Sequence, residues 1–245
     1  WEAFQARRCY ATTGERIRLL FEVNGTAMGS ELRTTGPPEI HFHIAGTKAI
    51  ERVDLFRGIE ILDSWPVAPQ IAPQQDAVLL RVLWGGTERK GTARLQRVDW
   101  TGSLSVTGGT VELLEPVNFQ SSDDAAVMSS ETRIDWRNTS AGNAAGILIR
   151  LTGDDAADLV FDSGPIQFQV PLAEVRQHAH RVDAGGVGRF AMIGPPPDPA
   201  GPANFELETV DNEPLSGDFP YWIRVTQVDQ SLAWSSPVYV TRTPE

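Results

Sequence analysis

The side chains best suited to chemistry in this chain are imidazoles, and all four fall in two His-x-His pairs, His41/His43 and His178/His180. On a β-strand, residues i and i+2 share a face, so each pair would offer two nitrogens to one metal ion. A metal centre needs a third ligand. Glu39 stands beside the first pair and Asp183 beside the second. For His41 and His43 the plainer reading is favoured: they form the wet face of an amphipathic strand. His178 and His180, flanked by Arg176 and Arg181, read as a polar loop or an edge strand.

Other residues that could carry chemistry read more blandly. Asp154, Asp155, Asp158 and Asp162 follow Gly153 and are the oxygen donors that hard cations favour. Their spacing does not match an EF-hand loop, so a solvated loop is expected, and Asp123-Asp124 reads the same way. No Gly-x-Ser-x-Gly elbow is present. Gly108-Gly109 and Gly185-Gly186-Val187-Gly188 precede strands or loops, so neither is a phosphate-binding glycine loop. Seven tryptophans remain. Six of them (Trp65, Trp84, Trp100, Trp136, Trp222 and Trp234) lie in or near expected strands. Exposed on one face they could stack on sugars, but packing in the core or on the sheets is the favoured role. Asn24-Gly25-Thr26 and Asn138-Thr139-Ser140 fit the glycosylation pattern, which in a chain that is not secreted is chance.

The elements that would position these groups are strands. Ile17, Leu19, Phe21 and Val23 recur with period two, and Asn24-Gly25 then marks a hairpin turn. Ile40, Phe42 and Ile44 repeat the pattern. Val53 and Leu55 do too, with Arg57 continuing the same face. Ala77 to Trp84 is apolar enough to be buried on both faces, and Gly108-Gly109 is expected to make a tight turn before Val111. The run Gly194-Pro195-Pro196-Pro197-Asp198-Pro199-Ala200-Gly201-Pro202 reads as a loop or linker with local polyproline character, because proline donates no ladder hydrogen bond. Residues 1–8, with Trp1, Phe4 and Arg8 on one face, form a helical stub. Eight residues cannot hold a helix in water unaided, so it should pack on a neighbouring element. Leu172 to Val175 reads as a single helical turn.

Short strands separated by turn signals imply an all-β fold. The expectation is an antiparallel β-sandwich, immunoglobulin-like or jelly-roll-like, with a second strand-rich unit and a short N-terminal helix. The expected division is a stub at 1–9, a first sandwich from 10–99 with 215–245, and a second strand-rich unit at 100–207, an insertion if the last hairpin completes the first sandwich.

Bulk properties exclude some functions. The 245 residues carry a formal charge of −11, which opposes binding to nucleic acid or to an anionic membrane surface. No apolar run approaches the length of a membrane span. The single cysteine, Cys9, permits no internal disulfide and fits a reducing compartment, so a cytoplasmic location is favoured. The N-terminus has neither an initiator methionine nor the apolar core of a signal peptide, so the chain is expected to be cut from something longer.

The opening stretch Trp1-Glu2-Ala3-Phe4-Gln5-Ala6-Arg7-Arg8-Cys9-Tyr10-Ala11-Thr12-Thr13-Gly14 resembles a segment of a large, poorly characterised bacterial family related to the PHP-type (polymerase and histidinol phosphatase) metallohydrolases. Val23 to Ser30 and Ala45 to Val53 continue the likeness. Tyr221 to Gln227 with Ala233 to Pro237 is similar to that family's closing hairpin. The resemblance implies that Arg-Arg-x-Tyr-Ala-Thr-Thr-Gly is the exit from a metal-binding catalytic domain, with the His and Asp ligand motifs lying upstream of it. No catalytic residue carries over. Arg7, Arg8, Tyr10, Thr12, Thr13 and Gly14 become junction candidates, structural rather than substrate-contacting. Thr12 and Thr13 can bond backbone groups, and Gly14 allows a turn into the first strand.

The leading expectation is therefore a non-catalytic, C-terminal accessory β region that supports the catalytic domain of a PHP-like metal-dependent hydrolase or mediates its assembly. The divalent metal belongs to the upstream domain, and this chain holds no cofactor. The implied partner is that upstream domain of the same protein, and a homo-oligomer stays open. A carbohydrate- or ligand-binding sandwich module ranks second, and a metallohydrolase using a His-x-His pair ranks third.

Overall fold

The computed structural model describes residues 1–72, 77–90 and 94–243. The connection expected between Trp65 and Pro73 is described as far as Ala72; Pro73 lies outside the described residues. The chain forms two compact units. One is built from Trp1–Pro69 together with Pro197–Glu245, and the other from Gln70–Pro196.

The first unit is a two-sheet sandwich. The period-two pattern of Arg18–Val23 and Glu39–Ala45 places Leu19, Phe21, Val23, Ile40, Phe42 and Ile44 on one buried face. These strands lie in a four-stranded sheet in the order Asn204–Val210, Glu39–Ala45, Arg18–Val23, Thr26–Ala27. Asn24 and Gly25, both at positive φ, make the turn between the last two, as Asn-Gly hairpins require. The facing sheet has seven strands around the long strand Gly217–Gln227. Ile50–Arg57 flanks it on one side, with Glu60–Pro66 beyond. On the other side its first half pairs with Val238–Arg242 and its second half with Leu232–Ser235. Val53, Leu55, Tyr221, Ile223, Val225 and Val240 meet the small sheet's apolar face in one core. The pairing is antiparallel except where Glu31–Thr34 runs parallel to Val238–Arg242.

The second unit holds a nine-stranded antiparallel sheet and a two-stranded ribbon. Its three long strands are Val78–Lys90, Gly102–Val117 and Ala144–Ser163. Their inward residues enclose Trp84, Trp100, Trp136 and Phe161. Gly108-Gly109 is not the expected tight turn. It is a bulge inside Gly102–Val117, where the register slips between Thr107 and Gly109. Gly153 lies opposite, and a Cβ on Gly109 would fall 2.7 Å from the Thr152 carbonyl oxygen, so only glycine lets the two strands approach here. Leu172–Val175 is the single helical turn expected, with Leu172 and Val175 buried.

The boundaries differ from the sequence-based division. Residues 70–99 were expected in the first sandwich, yet Val78–Lys90 pairs with both Ala144–Ser163 and Val187–Gly194 in the second unit. Residues 197–207 were expected in the second unit, yet Asn204–Val210 pairs with Glu39–Ala45 in the first. Alternation shows which face of a strand is buried, but not which sheet the strand joins. The N-terminal helix is also shorter than expected. It spans Glu2–Gln5, and the left-handed φ of Arg7 ends it. Trp1 and Phe4 stack on each other but stay 88% and 73% exposed, so no described element covers them.

Candidate functional site

The segment from Arg7 to Gly14 is built into the first unit. Tyr10–Thr12 is an edge strand paired with Leu232–Ser235, in the register Tyr10 to Ser235, Ala11 to Trp234 and Thr12 to Ala233. The Thr13 amide donates to the Leu232 carbonyl (3.0 Å), and the Leu232 amide donates back to the Thr13 hydroxyl oxygen (2.9 Å). Gly14 takes φ +125°, and its amide donates to Thr12 Oγ1, which turns the chain toward the first core strand. Arg7 Nη2 lies 3.1 Å from Glu31, and its guanidinium sits over the Tyr239 ring. Arg8 pairs with Glu2. The Arg7 backbone rests against Gly29, where any Cβ would overlap it. Tyr10, Thr12 and Gly14 line an open cavity of about 690 Å³ with Glu15, Arg16, Arg18 and Thr47.

The two imidazole pairs behave differently. His41 and His43 share the outer face of the four-stranded sheet. His41 Nε2 lies 3.0 Å from Glu206 and Nδ1 lies 3.8 Å from Glu22, so both ring nitrogens face carboxylates of neighbouring strands. The bond with Glu206 raises the His41 pKa, against the pull of burial, and holds the Glu206 carboxyl below its usual range. His178 lies in a bend, while His180 begins the edge strand His180–Asp183, so they do not share a strand face. His180 Nδ1 is 2.5 Å from Glu174. Among the described residues no group of three His, Cys, Asp or Glu side chains is placed to hold a metal ion. The aspartates after Gly153 lie within the strand Ala144–Ser163, not in the expected loop, and Asp155 pairs with Arg176.

The tryptophans divide by unit. Trp84, Trp100 and Trp136 are core residues of the second, and Trp65 packs on Phe42 in the core of the first. Trp222 and Trp234 are half-buried on the outer face of the seven-stranded sheet, because Tyr221, Ile223 and Ala233 take the inner positions. Trp222 stacks on Phe56 at 3.9 Å and donates its indole N–H to the Gly58 carbonyl. Asn138 is 1% exposed, and its side-chain oxygen accepts the Trp84 indole N–H at 2.8 Å, so the second glycosylation pattern is spent inside the fold.

Two charged networks have no motif to announce them. Asp54 accepts Nε and Nη2 of Arg224 and the hydroxyl of Ser64, and pairs with Arg52. Asp211 accepts the Tyr221 hydroxyl at 2.6 Å and Arg57 Nη1 at 3.0 Å. Burial works to raise the Asp211 pKa, but these donors and the Glu213 amide outweigh it and hold the carboxyl below its usual range. The one signal available was Arg57 continuing the inward face of its strand, where an arginine must find a buried counter-charge.

Comparison with known proteins finds short matches. The chain is 41% identical over 70 residues to an uncharacterised protein of Chlamydia pneumoniae, and 39% identical over 70 residues to one of Chlamydia trachomatis. Each match spans 26% of this chain and 11% of the relative's length. No family model and no solved structure matches the chain. No helix among the described residues is long and apolar enough to cross a membrane.

Proposed function

We propose that this chain is a non-catalytic accessory β region of a longer PHP-like metal-dependent hydrolase, and that the segment from Arg7 to Gly14 anchors an upstream catalytic domain to it. One observation carries the reading: the two stretches that resemble that family, at opposite ends of the chain, meet as neighbouring strands through Tyr10–Thr12 and Leu232–Ser235. A helix exit fastened in this way would transmit the sandwich's rigidity to whatever precedes it. The exposed Trp1 and Phe4 rings supply apolar surface for such a neighbour. The divalent metal would belong to the upstream domain.

The test compares this chain with a longer protein that includes the coding sequence upstream of Trp1. Elemental analysis and phosphatase or phosphodiesterase assays with Mn²⁺ or Zn²⁺ should find metal and turnover in the longer protein and neither in this chain. Robust metal-dependent turnover by this chain alone would overturn the proposal.

A second reading, a carbohydrate-binding module, is supported by Trp222 and Trp234 on one outer sheet face with Arg224 between them in the register. Glycans that quench tryptophan fluorescence in the wild type but not in a Trp234→Ala variant would favour it.

A further inference from the structure

His41 sits on the central strand of three that make up most of the small sheet, with Arg18–Val23 on one side and Asn204–Val210 on the other. These flanking strands come from the two separate chain segments that build the first unit. In register, His41 faces Glu22 on one neighbour and Glu208 on the other, and Glu206 faces His43. Its Nε2 reaches diagonally to Glu206 at 3.0 Å and its Nδ1 lies 3.8 Å from Glu22. The imidazolium donates from Nε2 to Glu206 and also sets its charge within ion-pair range of the Glu22 carboxylate, which a neutral ring cannot do.

We propose that His41 is a proton-gated clasp that joins the two chain segments of the first unit and holds the edge strand Asn204–Val210 to its sheet. The ionisable groups on this face are Arg18 and Glu22 from one neighbour, Glu39 and His43 on the same strand, and Glu206 and Glu208 from the other. When His41 loses its proton, the carboxylates of Glu22, Glu206 and Glu208 are left around a neutral ring, and like charges on adjacent strands destabilise pairing.

The imidazole titrates higher in the folded chain than in the unfolded one, so its contribution is complete below the ordinary histidine range and is lost as pH rises through the raised value. Glu206 titrates lower in the folded chain, so its contribution is lost only as pH falls through that depressed value. The clasp therefore works in a window between the two.

The experiment is amide hydrogen exchange of residues 204–210 in the whole chain at pH 6 and pH 8.5, corrected for intrinsic exchange, with NMR titration of the His41 ring. For a partly exposed pair, protection should fall about two- to fivefold at the higher pH in the wild type. It should stay flat in His41→Gln and be retained at pH 8.5 in His41→Lys. Glu206→Gln should lower the ring's titration midpoint. Equal pH dependence in the wild type and His41→Gln, or a midpoint unmoved by Glu206→Gln, would overturn the proposal. If His41→Gln fails to fold, the lysine variant and the ring titration still decide it.

Discussion

Replacing Gly29 with alanine should release the N-terminal segment from the sandwich while leaving the core folded. Gly29 has φ +88°, where an L side chain costs about 1–2 kcal/mol. Its Cβ would also sit 2.7 Å from the Ala6 carbonyl oxygen and closer still to that of Arg7, so backbone would have to move. The cheapest movement lifts residues 6–9 away, since what holds them is a three-residue edge strand, a few hydrogen bonds and the exposed contacts of Arg7 with Glu31 and Tyr239. Among the hydrogen bonds is that from the Ser236 amide to the Cys9 carbonyl at 3.1 Å, and such bonds contribute about 1 kcal/mol each. Shifting that local equilibrium by about 2–3 kcal/mol raises the detached population about 30- to 150-fold. Trypsin reads this directly, because the scissile bonds follow Arg7 and Arg8. Initial cleavage there should quicken by at least tenfold, with faster exchange of the amides of residues 10–13. Gly58→Ala is the control: its φ is +63° and its Cβ would meet open space, so it carries strain without overlap. It should cost about 1–2 kcal/mol and leave cleavage after Arg7 unchanged. Cleavage of Gly29→Ala within twofold of wild type, with an unaltered melting curve, would refute both the close approach and the anchoring role built on it.

Other outcomes follow from the buried polar groups. Asp211→Asn leaves the buried Arg57 and Arg242 short of counter-charge, and should destabilise the first unit by about 2–4 kcal/mol in urea unfolding, moderated because Arg57 keeps Glu213. Since the Asp211 carboxyl titrates below its usual range, its stabilisation is present above the ordinary aspartate value and is lost as acid passes through the depressed one. The wild type should therefore lose stability more steeply than Asp211→Asn as pH falls below the ordinary aspartate value. Asn138→Ala strands the Trp84 indole N–H in the core and should cost about 1–3 kcal/mol in the second unit, seen as a lower melting temperature by near-ultraviolet circular dichroism.

Much of the fold was legible in the residues. Period-two alternation placed Phe21, Phe42 and Ile44 on the buried face, Asn24-Gly25 made its hairpin, and the proline run made its loop. The candidate site was legible only in part. The His41/His43 pair was recognisable as an outward face, but the carboxylate that engages His41 most closely is Glu206, 165 residues away. Nothing near His41 in the chain indicates which strand will lie beside it. The glycine pair at Gly108-Gly109 misled for a related reason: φ > 0 is needed equally by a turn and by a bulge, and the choice depends on the strand opposite.

By itself the sequence determined the all-β class, the identity of most core residues and the inward course of Arg57, because alternation and turn chemistry act over a few residues. Only the tertiary structure decided that the chain leaves its first sandwich at Pro69 and returns at Pro197, that Tyr10–Thr12 joins Leu232–Ser235, and that His41 lies between Glu22 and Glu206. Those are pairings between strands far apart in the chain. They are set by which buried faces and charges fit together once the whole sheet is assembled, and no local pattern encodes them.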